Sequence, residues 1–273
     1  MKETIDVLIF GGQSNMQGQS ERLSNTDVVD EAWEYRYLED ALVPLRNPVG
    51  ENIRTDKTKG IAHEKGGDGQ KWLREHVTGW SASGNTNLVP EFCKAYIRVT
   101  GSKVAAVHAA KGSTQISDWL PGTVGFELLV EKTKAAIQKL QPVYRVERIF
   151  FVWLQGESDA IARVGKDAYM DFMVCLNAGL KESLGIDAFG VIRVGRFTGD
   201  DRDQQIIDAQ DAVCEQNQDF IMLTRLASEM NQMPQYMNPY VPGHFSAEGL
   251  ELLGKSAGET LGKARSQSKA ERT

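Results

Sequence analysis

Five short apolar runs, each too continuous to alternate and separated by amphipathic stretches, leave this chain few architectures. They are Val7–Phe10, Val104–Ala109, Arg148–Leu154, Phe189–Val194 and Phe220–Leu223. Near-continuous hydrophobicity marks strands buried on both faces, which is the condition of a parallel sheet covered by helices. The intervening segments keep helical period. Leu88, Phe92, Ala95, Tyr96 and Val99 share one face, Phe126, Leu129, Val130, Ile137 and Leu140 a second, and Tyr169, Phe172, Met173, Leu176 and Leu180 a third. Leu250, Leu253, Ala257 and Leu261 form a fourth stripe behind a candidate N-cap at Ser246, and Gly101 and Gly185 stand where helices are closed. Alternating strand and helix predicts the α/β class, with helices on both faces of the sheet.

One region breaks the rhythm. From about 19 to 87 the chain is polar, spotted with glycine and weakly periodic, and it carries Pro44, Pro48 and the run Glu64–Gln70. An excursion of that length is an insertion over a functional site or a partly ordered loop. No repeat or linker asks for a second domain, so residues 1–265 are expected to form one unit, followed by a frayed tail over 266–273.

A net charge of −6 gives no basic footprint for nucleic acid. No apolar run approaches the length of a membrane span. The apolar run near the N-terminus is too short for a signal peptide, so a cytoplasmic location is expected, or a secreted one if a leader precedes this sequence. Cys93, Cys175 and Cys214 are odd in number, lack metal or redox spacing and lie in apolar surroundings, which predicts buried free thiols.

Chemistry concentrates just after the strands, where parallel sheets bind ligands. Gly11-Gly-Gln-Ser-Asn-Met-Gln-Gly18 follows the first run. A serine on a glycine-rich strand-to-helix turn has an exposed hydroxyl and a free N–H, as a nucleophile beside an oxyanion requires. A phosphate-cradling loop is the rival, but the Lys-Ser/Thr ending is missing. In the block Ala110–Trp119, Gly112 permits an N–H to approach an oxyanion, while Trp119 suits either a sugar site or plain packing. Trp153–Ala160 gathers Gln155, Glu157 and Asp159. Of four histidines, His63 and His76 lie in the polar insertion and His108 inside a strand, where a satisfied core role is expected. His244, on the loop before the last helix, is the candidate base.

Together these blocks resemble the SGNH hydrolases, and more narrowly the sialate O-acetylesterase-like group and the acetylxylan esterases of carbohydrate esterase family 6. That group's marks are Gly-Gln-Ser-Asn-Met-x-Gly, Gly-(Gly/Ser)-(Thr/Ser)-x-Ile-x-x-Trp, Trp-x-Gln-Gly-Glu-Ser-Asp and a late histidine before a helix. Here they stand at 12–18, 112–119, 153–159 and 244. The resemblance implies a flavodoxin-like three-layer sandwich around a five-stranded parallel sheet. It implies a serine esterase acting on acetylated carbohydrate of the xylan or sialic acid type, with no metal or organic cofactor. It assigns the nucleophile to Ser14, the base to His244, and oxyanion donors to the N–H groups of Ser14 and Gly112 and the Gln155 side chain. Gln13, Asn15 and Trp119 are the expected substrate contacts.

The sequence departs from the pattern at Val241, where many SGNH enzymes carry an aspartate three residues before the histidine. The group that orients His244 is then Glu157 by preference, with Asp159 or a backbone carbonyl near Val241 as the alternatives. Val241 also keeps open a catalytically decayed relative that only binds glycan.

Overall fold

The computed structural model describes residues 2–37, 39–50 and 85–270, without the side chains of 268–270. The first run becomes β1 (Glu3–Gly12), buried along nearly its whole length. A tight helical turn α1 (Ser14–Gln17) follows at once. Then come β2 (Ala32–Arg36), β3 (Ala41–Pro44), α2 (Val89–Thr100) and β4 (Lys103–Ala110), and after a 3₁₀ turn at Ile116–Trp119, α3 (Val124–Leu140). β5 (Tyr144–Leu154), α4 (Glu157–Ile161), α5 (Lys166–Leu184), β6 (Ala188–Ile192), α6 (Asp201–Gln216) and β7 (Phe220–Thr224) continue the alternation. The chain closes with α7 (Leu226–Met230), a 3₁₀ turn at Pro234–Tyr236 and α8 (Ala247–Ala270).

The sheet has seven strands in the order β3-β2-β4-β1-β5-β6-β7, all parallel except β3. Five strands were expected, and the two additional ones come from the described part of the polar region. β2 escapes a search for apolar runs because its sequence, Ala-Trp-Glu-Tyr-Arg, puts Glu34 into the interior, where Oε1 accepts from the Gly50 N–H at 2.7 Å. β3 is a short, half-exposed antiparallel edge. His63, His76 and the run Glu64–Gln70 lie outside the described residues.

Gly101 and Gly185 do close α2 and α5, each in the left-handed conformation. The last helix continues through Ala270, past the point where the sequence suggests fraying. Its Arg265 reaches back to Asp6 on β1 at 3.1 Å and to Glu147 on β5 at 2.8 Å. α8 packs on α2 at very close range: a Cβ on Gly254 would lie 2.2 Å from the Leu88 carbonyl oxygen, and one on Gly258 2.2 Å from that of Phe92. Of the cysteines only Cys93 is fully buried. Cys214 is half-buried and Cys175 exposed, because the latter falls on the outer face of α5.

Register is what positions the site. Gly12 pairs with Ala110 on one side and with Leu154 on the other, so the three central strands end in one row. The segments that leave them, 13–18, 111–119 and 155–159, therefore emerge side by side at the carboxyl edge, where the chain switches direction across β1.

Candidate active site

Gly12 makes the turn possible. Its φ is +144°, and a Cβ there would sit 2.1 Å from the Leu154 carbonyl oxygen, so a side chain is refused on both counts. The next N–H, of Gln13, donates to that same oxygen at 3.2 Å, and the helical turn starts at Ser14. N–H groups in a first helical turn have no intrahelical acceptor, and that of Ser14 is one of them.

The imidazole arrives from the opposite end of the sequence. After β7 the chain folds back through a single antiparallel bridge between Met237 and Phe245. Asn238 shapes the loop between them: its N–H donates to the His244 carbonyl at 2.8 Å, and its Oδ1 accepts from the N–H groups of Tyr240 and Val241. His244 Nε2 lies 2.8 Å from Ser14 Oγ, and Nδ1 lies 3.1 Å from the Pro242 carbonyl oxygen. A carbonyl only accepts, so Nδ1 carries the proton and Nε2 is left to accept from the serine hydroxyl. Burial holds the His244 pKa below its ordinary value, against the backbone bonds to Pro242 and Val241, and favours neutral imidazole. The ring of Phe197 stands edge-on to the imidazole at 6.0 Å.

The expectation that Glu157 or Asp159 holds the imidazole is corrected by these contacts. Nδ1 faces the Pro242 carbonyl, the third option foreseen. Glu157 Oε1 instead accepts from Asn15 Nδ2 at 2.8 Å. Asn15 in turn reaches the Gly243 carbonyl at 3.4 Å and receives the Phe245 N–H on Oδ1 at 3.2 Å. It therefore grips the backbone on both sides of His244. This also corrects Asn15 as a substrate contact, since its amide is buried and committed to protein. Burial pushes the Glu157 carboxyl up, against the Asn15 bond.

Gln155 is likewise displaced from the role expected of it. Its two amide hydrogens face three buried acceptors, Thr114 O at 2.9 Å, Gln13 Oε1 at 3.1 Å and Asp159 Oδ2 at 2.5 Å. Its own oxygen receives the Tyr169 hydroxyl at 2.9 Å. Fully enclosed, it braces the floor beneath the site and has no hydrogen left for an oxyanion. Gln13 belongs to the same brace, its Oε1 accepting from Gln155 and from the Ser158 N–H. Asp159 accepts from the Ile116 N–H at 3.0 Å and so holds the 111–119 loop in place; burial raises its pKa to about 6. Trp119 is a core residue, its ring edge-on to Trp153 and its Nε1 donating to Thr114. The side of a tryptophan that faces inward is not written in its local sequence.

Gly112 does stand against the serine. A Cβ there would lie 3.6 Å from Ser14 Cβ, and its N–H donates to Gln17 Oε1 at 3.1 Å. His108 is buried in the core as expected, with Nε2 on the Met16 carbonyl at 2.8 Å, and it stays out of the site. Sequence reasoning missed Gln17, Gln19, Phe197 and Asn238. For Gln17 a signal existed, because a residue three positions after Ser14 in a helical turn shares its face.

A mostly parallel α/β sheet whose first strand delivers a serine to a histidine from just before the last helix is the architecture of the SGNH hydrolases. A family model described as carbohydrate esterase, sialic acid-specific acetylesterase, matches residues 4–261, and the chain belongs to this family. It is a carboxylic ester hydrolase of the carbohydrate acetylesterase kind. Among solved structures, a protein of Arabidopsis thaliana is similar at a TM-score of 0.63 and 14% identity, covering 95% of this chain and 97% of that one. NanS is similar at 0.56 and 13%, covering 99% of each. Likenesses at such identity speak for the fold alone. Comparison with curated proteins returns no match.

Proposed function

We propose that this carbohydrate esterase removes O-acetyl groups from glycans of the xylan or sialic acid type with a Ser14–His244 dyad. The observation that carries the reading is the 2.8 Å contact between Ser14 Oγ and His244 Nε2, with Nδ1 facing a carbonyl. His244 Nε2 takes the serine proton as Oγ attacks the ester carbonyl. The N–H groups of Ser14 and Gly112 receive the developing oxyanion. Nε2 then gives the proton to the departing sugar oxygen, which leaves as a hydroxyl, and water repeats the sequence on the acetyl-serine. The Pro242 carbonyl fixes the tautomer and steadies the imidazolium, the part an aspartate plays in a triad. Glu157 acts at one remove, by fixing the Asn15 grip on the histidine backbone. The decayed-binder alternative rested on Val241, and an acceptor supplied by Pro242 takes away its motive.

The test is Ser14→Ala. Hydrolysis of p-nitrophenyl acetate and acetyl release from O-acetylated xylo-oligosaccharides and sialic acids should fall by about 10³-fold or more, with an unchanged circular dichroism spectrum. A variant that keeps its rate removes Ser14 as nucleophile.

A further inference from the structure

The oxyanion donor Gly112 is not idle in this structure. Ser14 and Gln17 project from the same face of α1, and Gln17, only 2% exposed, turns its carboxamide toward Gly112. Gln17 Oε1 accepts the Gly112 N–H at 3.1 Å and Gln19 Nε2 at 3.2 Å. A Cβ on Gly112 would lie 3.1 Å from Gln17 Oε1, 3.2 Å from Gln19 Nε2 and 3.6 Å from Ser14 Cβ, so all these groups surround one point. The orientation of both amides follows from chemistry. A backbone N–H only donates, so Gln17 presents oxygen to it, and the Gln19 atom on that oxygen must then be nitrogen.

A planar carbonyl oxygen held by two donors, one turn from a nucleophilic serine, is the arrangement an ester carbonyl needs when it is attacked. We propose that Gln17 Oε1 is an internal stand-in for the acyl oxygen of the substrate, and that Gln19 Nε2 is a donor of the oxyanion cradle beside the N–H groups of Gly112 and Ser14. Gln19 thereby supplies the side-chain donor that Gln155, buried in its own network, does not. The Gln19 backbone is fixed for this purpose: its carbonyl accepts from Asn238 Nδ2 at 2.9 Å, so the residue that shapes the histidine loop also anchors the donor. Substrate enters by turning the Gln17 carboxamide out and placing its own carbonyl oxygen on the same two hydrogens. The free enzyme keeps its cradle satisfied, and each binding event exchanges one hydrogen-bonded oxygen for another.

The inference rests on Ser14 as nucleophile, and the experiment separates the two. Steady-state hydrolysis of p-nitrophenyl acetate is measured for Gln19→Leu, Gln17→Leu and Ser14→Ala, with Gln19→Ala and Gln17→Met as replacements should a leucine variant show a lowered melting temperature. Gln19→Leu is expected to lose about tenfold or more in kcat with little change in KM, as for other cradle donors. Gln17→Leu is expected to lower KM about two- to tenfold, the worth of one competing hydrogen bond, without loss of kcat. A Gln19 variant with kcat within twofold of the parent overturns the proposal, and so does a Gln17 variant whose kcat/KM is unchanged or reduced. Activity surviving in Ser14→Ala overturns the nucleophile assignment itself. An inactive Ser14→Ala beside unresponsive glutamine variants overturns only the cradle.

Discussion

Asn15 commits both ends of its carboxamide to three groups: the Glu157 carboxylate at the start of α4, and the backbone on either side of His244. Because Glu157 works through this amide, its charge is dispensable while its acceptor is not. Glu157→Gln should keep Oε1 on Asn15 and retain activity within about tenfold, whereas Asn15→Ala should lose about 10²-fold in kcat, the usual toll of a base displaced by an ångström. A carboxylate that touched the imidazole directly would instead cost about 10⁴-fold on amidation. Steady-state kinetics of the two variants distinguish these cases. The meeting of Ser14 with His244 was legible in the sequence because a glycine-rich turn after a strand and a loop before a helix are local facts. The partner of Glu157 was not, since it lies 142 positions away. Trp119 and Gln155 were misread for a related reason: residue type announces a capacity to bind, and only burial decides whether solvent or protein receives it.

Elements show the same division. The five apolar runs each became a strand, and their hydrophobic continuity is the mark of burial on both faces. β2 and β3 were invisible because one carries an inward glutamate and the other is a short edge. Helix α8 conceals its most demanding feature in a similar way. Gly254 and Gly258 stand one turn apart on the face toward α2, where neighbouring backbone leaves no room for a Cβ. Helix propensity alone predicts that Gly258→Ala adds about 1 kcal/mol of stability. The 2.2 Å approach to the Phe92 carbonyl oxygen reverses the sign, because α8 must lift off α2. Gly258→Ala should therefore cost about 1–3 kcal/mol in urea unfolding; a gain would mean that the two helices separate freely.

At the scale of the whole molecule, buried titratable groups set opposing slopes of stability against pH. Burial lowers His108 from 6.5 to about 4, and His244 moves the same way. A folded state that resists these protons is favoured above pH 6.5 and loses that advantage as pH falls toward 4. Burial raises Asp159 from 3.8 to about 6, and Glu157 also rises, so the folded state gains from acid across roughly the same window. His108 and Asp159 each represent about 3 kcal/mol at about 1.4 kcal/mol per pH unit. The melting temperature should consequently change little between pH 6.5 and 4. Asp159→Asn, which removes one carboxylate from the balance, should melt lower than the parent at pH 4 by a wider margin than at pH 6.5. Parallel curves for the two proteins would show that Asp159 takes up its proton no more readily when folded.

The row formed by Gly12, Ala110 and Leu154 carries one further consequence. Whatever leaves that row is welded to seven strands, while the imidazole hangs from a loop tied by one bridge and by the side chains of Asn238 and Asn15. Half of the machine is masonry and half is an arm of loop. Substitution of the exposed Tyr240 and Val241 can rewrite the arm while the masonry, and with it the ability to fold, is left alone.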